Sequence, residues 1–169
     1  MKTETFVFAD DGDIPNSRHP LVVYRRAIDP AAGDPAMAFE RLFRSNGWGR
    51  GWRASIFPFH HYHSNTHEAL GIATGEADVR FGGEVGGRTF RVGAGDAVLI
   101  PAGVGHKRLS SADGFLVVGC YPPGAPAFDL MREGAEDKAG IRKRIGGVPF
   151  PATDPVGGAG GPVFALWGA

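Results

Sequence analysis

The chain has one cysteine, no excess of charge of either sign and no long apolar run, and each shortage removes a class of answer. With Cys120 alone, no intramolecular disulfide can staple the fold. Its place in the apolar run FLVVGCY marks a buried, inert thiol rather than a nucleophile. Eighteen Lys and Arg residues offset eighteen Asp and Glu, so no net field recruits nucleic acid or an anionic membrane, and a small-molecule partner is expected instead. Nowhere do about 18 apolar residues run together, as a membrane-crossing helix requires. The start MKTETFVFADDGD lacks the basic and apolar regions of a secretory leader, so a cytoplasmic protein is expected. The glycine-rich stretches GWGRGW and GGAGG do not lead from a strand into a helix, and no Lys-Ser or Lys-Thr follows them, which excludes a phosphate loop.

What is abundant is glycine and proline, 27 and 13 of 169 residues, which predicts many turns. Residues 51–121 read as short strands separated by those turns: RASIFPFHHYH, EALGIA, EADVRFG, RTFRV, DAVLI, GHKRLS and FLVVGCY. Helices have little room here, so an all-β sandwich or barrel is expected and a parallel α/β sheet is disfavoured. Residues 1–50 supply a strand, HPLVVYRRAI, and a short helix capped by Asp34 with Pro35 at its first position, Gly47 lying past its end. Residues 122–169 form an extension of the same domain, weakly helical and then rich in Pro and Gly. Its apolar end, VFALW, predicts a tail that docks on the barrel or a second subunit, with disorder of residues 152–162 as the competing expectation.

Four of the six histidines fall in HHYHSNTH, followed by Glu68. Period-two geometry separates them: His61 and His63 share a face, and Glu68 shares one with Leu70 and Ile72, which marks the interior. Two imidazoles and a carboxylate turned inward are ligands suited to Fe, Mn, Ni, Co or Zn. Left without a metal, such a group must find hydrogen bonds for every buried polar atom. A second segment, GDAVLIPAGVGH, delivers His106 after a bend at Pro101 and Gly103. His60 and Tyr62 point the other way, and His60 is expected to pack or to form an interface. His67 is the alternative ligand if the turn before Glu68 is shorter than assumed. Trp52 lies where it could line the pocket.

These two segments resemble the signature motifs of the cupin superfamily, with His61, His63, Glu68 and Gly75 filling the first and Gly95, Pro101, Gly103 and His106 the second. Ser110 departs from the Asn that often follows the second motif. The resemblance implies a double-stranded β-helix, a jelly-roll barrel, with three His and one Glu holding a divalent metal inside its mouth. The doubled HH, the THE ending, IPAGVGHKRLS and DPVGGAGGP are similar, more narrowly, to a group of bacterial single cupins called YjlB-like. By that analogy a homodimer is expected. The implied function is an isomerase, lyase or dioxygenase acting on a small oxygenated metabolite chelated at the metal, with Arg80, Arg91 or Arg108 orienting an anionic substrate if they turn inward. The alternative is a cupin that stores or binds a metal and a small ligand without turnover.

Overall fold

Alternating apolar residues and closely spaced turns give strands β1 (Lys2–Phe8), β2 (Ser17–Arg25), β3 (Gly49–Ala54), β4 (His61–Tyr62), β5 (Glu68–Thr74) and β6 (Glu76–Phe81). The series continues with β7 (Arg88–Gly93), β8 (Ala97–Ile100), β9 (His106–Ser111), β10 (Leu116–Tyr121) and β11 (Met131–Arg132). Helices are short: α1 (Pro35–Ser45), α2 (Lys138–Gly146) and α3 (Val163–Trp167). The computed structural model describes residues 1–168. Among the described residues no helix is long and apolar enough to cross a membrane.

Two antiparallel sheets face each other in a jelly-roll sandwich. One has the order β1-β2-β8-β5-β10-β3 and the other β11-β4-β9-β6-β7. The interior between them is filled by alternate residues of each strand, Leu21 and Val23 of β2, Leu70 and Ile72 of β5, Val79 and Phe81 of β6, and Val98 and Ile100 of β8. The opposite face of the larger sheet carries Val22, Tyr24, Ala69, Leu99 and Val118, and α1 covers it with Phe39 and Phe43. Asp34 caps α1 by accepting from the Met37 amide at 3.1 Å, with proline following at the first helical position.

The expected strand through RASIFPFHHYH breaks into β3 and β4, with residues 55–60 irregular around Pro58. Proline has no amide proton for a ladder, so the chain leaves the larger sheet and crosses to the smaller one here. Strand β1 was not anticipated; it pairs with β2 from Lys2 to Phe8.

The tail docks instead of dangling. Asp154, fully buried, accepts from the Tyr24 hydroxyl at 2.7 Å and from the amides of Val156, Gly157 and Val163. Trp167 is buried and donates its indole proton to the Pro20 carbonyl at 2.8 Å.

Two glycines position the site. Gly103 has φ +91° in the bend before β9, and a Cβ there would lie 2.3 Å from the Asn16 carbonyl oxygen. Gly119 on β10 pairs with Trp52 on β3, and a Cβ would lie 2.1 Å from the indole ring. Gly119→Ala is therefore expected to push Trp52 off its seat at a cost of about 1–3 kcal/mol. Urea denaturation reads the loss and tryptophan fluorescence the displacement; unchanged values in both would refute the packing argument.

Candidate metal centre

Strands β4, β5 and β9 bring the predicted residues to one end of the sandwich, where His61 and His106 face each other across the β4–β9 pair. All four expected residues, His61, His63, Glu68 and His106, are buried. One ligand atom from each of His63, Glu68 and His106 lies within 4.8 Å of the others. His61 stands outside that tight group, its ring 4.0 Å from that of His106 and 6.1 Å from that of His63.

The second nitrogen of each imidazole fixes what the first can do. His61 Nδ1 donates to the Phe59 carbonyl at 3.1 Å, His106 Nδ1 to the Val104 carbonyl at 3.2 Å, and His63 Nδ1 to the Asp129 carbonyl. A carbonyl can only accept, so Nδ1 carries a proton, and in the neutral imidazole the lone pair is left on Nε2. Glu68 Oε2 lies 3.4 Å from His63 Nε2 and 3.3 Å from His106 Nε2, yet it has no hydrogen-bond partner. With the imidazoles neutral, electron pairs converge on one buried point, an arrangement that a proton on Nε2 or a metal cation resolves.

The titration shifts follow from the same geometry. Burial raises Glu68's affinity for a proton, but His63 and His106 outweigh it and hold the carboxyl well below its usual range. Burial opposes charging His63, and Glu68 overturns that, raising its pKa. Burial, with His106 adding to it, pushes His61 down to about 3.

Tyr121, at the inward end of β10, donates to Glu68 Oε1 at 3.1 Å and accepts from Trp52 Nε1 at 3.0 Å. Burial and the Glu68 charge raise its pKa, so the phenol keeps its proton. The adjoining cavity holds about 230 Å³ and is walled chiefly by Trp52, Ile56, Phe57, Leu70, Tyr121 and Phe128. Its mouth is strapped by residues 126–129. Asp129 accepts from the Ser64 amide at 2.7 Å and from the Ser64 hydroxyl, and Asn65 donates to the Ala127 carbonyl at 2.9 Å. Phe128 then stacks on Tyr121 with ring centres 5.1 Å apart.

Several expectations resolve differently. His67 has both nitrogens engaged, Nδ1 accepting from the Ala102 amide at 2.9 Å and Nε2 donating to the Pro149 carbonyl at 3.2 Å. It faces Trp167 and the tail, with no lone pair left for a metal. Arg80 is held by the carbonyls of Gly83 and Glu84, Arg91 by Asp78 and Glu76, and Arg108 by the Ile56 carbonyl. None of the three lines the cavity. His60 is buried, which is the packing role, one of the two expected for it. Trp52 lines the pocket as expected. Tyr121 was missed although its signal was present: alternation along β10 puts Val117, Gly119 and Tyr121 on one face. Asp129 and Phe128 carry no local signal.

The cupin-domain family profile matches residues 53–113. A curated Bacillus subtilis protein, described as uncharacterized protein YjlB, is 44% identical over 167 residues, covering 98% of this chain and 97% of its own. Among solved structures, a TDP-quinovose 3,4-ketoisomerase from Campylobacter jejuni is 12% identical, with a TM-score of 0.43 over 56% of this chain and 74% of that one. An acireductone dioxygenase from Bacillus anthracis with cadmium in its active centre is 17% identical, with a TM-score of 0.36 over 51% and 57% of the two chains.

Proposed function

The chain belongs to the cupin superfamily, in its YjlB-like group, and on that footing we propose a divalent-metal protein that acts on a small oxygenated metabolite at the barrel mouth. His63, Glu68 and His106, with His61 beside them, would hold the metal. The observation that carries this reading is the unpartnered Glu68 Oε2 facing the Nε2 atoms of His63 and His106. Bound there, Fe, Mn, Ni, Co or Zn would supply Lewis-acid polarisation of a ligand oxygen, or dioxygen chemistry in the case of iron.

The chain's own residues do the rest. Tyr121 orients Glu68 through Oε1, leaving Oε2 for the cation. Trp52 holds the Tyr121 hydroxyl in place. The apolar walls exclude water from the cavity and strengthen each polar interaction inside it. Among the described residues no Lys or Arg lines those walls, so they suit a ligand with an uncharged body, and any anionic group on it would have to meet the metal.

A second reading, binding without turnover, draws support from two observations: among the described residues no Asp or Glu besides Glu68 lines the cavity to serve as a general base, and Tyr121 stays protonated. A homodimer also belongs to this proposal, since β1 and β3 are the outer strands of the larger sheet and leave edges to be covered.

The test is elemental analysis of the purified protein beside a His63→Ala, His106→Ala double variant, which is expected to lose about one equivalent of divalent metal. Equal content in the two would overturn the assignment. A screen of small diols, keto acids and sugars on the Fe, Mn, Ni and Zn forms separates the two readings: turnover supports the enzyme, and stabilisation without turnover supports the binding module.

A further inference from the structure

His60 precedes the first candidate ligand and turns away from it. It is 4% exposed, and neither ring nitrogen has a hydrogen-bond partner. A buried imidazole with two unmet polar atoms is costly, and few native groups are left so. Nε2 lies 3.3 Å from Glu84 Oε1 but out of line for a hydrogen bond. Glu133, just past β11, brings its carboxylate to the same place. One ligand atom each from His60, Glu84 and Glu133 lies within 4.8 Å of the other two.

We propose that His60, Glu84 and Glu133 form a second site, for a divalent first-row cation such as Zn2+. One imidazole and two carboxylates match the donor preferences of such ions and leave a position for water. The donors come from three separate segments: the entry to β4, the tip of the β6–β7 hairpin and the end of β11. A cation there ties a glycine-rich tip, FGGEVGG, to the smaller sheet. Gly82 at the base of that tip donates to the Gly105 carbonyl at 2.7 Å, next to His106, so the clip also braces the strand bearing a candidate ligand of the first centre.

Two cations already attend Glu84. Arg80 Nε lies 3.5 Å from Oε2, and its guanidinium is fixed by the Gly83 and Glu84 carbonyls. Lys107 pairs with Oε1, its side chain partly exposed on a flexible stem. Glu133 has no ion-pair partner among the described residues. Metal entry therefore displaces the Lys107 ammonium and leaves Arg80 where it is.

Isothermal titration of Zn2+ into the metal-stripped full chain tests this, with the first centre removed by His106→Ala. That variant is expected to keep a Zn2+ site, which Glu133→Gln weakens by more than about tenfold and Lys107→Met tightens by about tenfold. Glu133 is exposed, so its substitution tests the site without threatening the fold. His60→Asn in the same background is expected to abolish binding. Absence of Zn2+ binding to His106→Ala, or an affinity indifferent to Glu133→Gln and Lys107→Met, would overturn the second site. A wild-type protein that loses Zn2+ with His60→Asn but binds it undiminished with His106→Ala would instead support this site and refute the first.

Discussion

Asp154→Ala is expected to cost about 3 kcal/mol of stability and to release the tail from the sheet. The carboxylate is fully buried and accepts four hydrogen bonds, from the Tyr24 hydroxyl and the amides of Val156, Gly157 and Val163. Alanine leaves all four donors without a partner, and each unsatisfied buried donor costs about 1–3 kcal/mol before water re-enters. Asp154→Asn keeps one acceptor oxygen and turns an amide against the remaining donors, so it should fall between alanine and wild type. Urea denaturation measures the loss, and limited proteolysis at residues 152–162 locates it. A loss below about 0.5 kcal/mol, typical of neutral surface sites, would show that the tail is held by its apolar contacts alone.

Stripping the metal is expected to lower the melting temperature by about 10 °C relative to protein saturated at about a thousandfold excess over Kd. Binding to the native state alone contributes about 4 kcal/mol under those conditions. The stripped protein must also keep Glu68 Oε2 buried without an aligned donor. Glu68→Gln should abolish most of the response, because the amide replaces a charged ligand by a neutral one and can donate to a facing Nε2 lone pair. Thermal unfolding with and without a chelator checks both. Identical melting curves for stripped and metal-saturated wild type would refute a metal bound at the native centre.

Much of this architecture was legible because the signals were local. EALGIA alternates cleanly, so the sequence places Glu68, Leu70 and Ile72 inward and Ala69 outward, and β5 does the same. Asp34-Pro35 announces the start of α1 through capping chemistry that acts within one turn. Alternation and the resemblance to the cupin motifs pointed to His61, His63, Glu68 and His106, and the fold draws ligand atoms of the last three together. Pro58 could have warned that RASIFPFHHYH would not run as one strand.

The remainder depended on contacts distant in sequence. Asp154 meets Tyr24 across 130 residues and Asp129 meets Ser64 across 65, and no periodicity reports such pairs. His60 was expected to pack or to form an interface, and it packs; alternation tells which side a residue faces, not what covers that side. Here the cover is the hairpin tip bearing Glu84, a segment that by composition alone reads as a solvent-exposed turn.

The uncharged wall of the cavity has a kinetic consequence. Steering accelerates encounter only when fixed charges at a cleft entrance act over a Debye length, about 8 Å in physiological salt. This entrance offers Phe57 and Phe128, the strap's Asp129 carboxylate is tied to Ser64, and Glu68 lies buried within the cavity. On the proposed reading, capture of a neutral ligand would proceed by unaided diffusion, at a rate indifferent to ionic strength. Selection among such ligands would then fall to what happens after entry, where shape and desolvation set the dwell time.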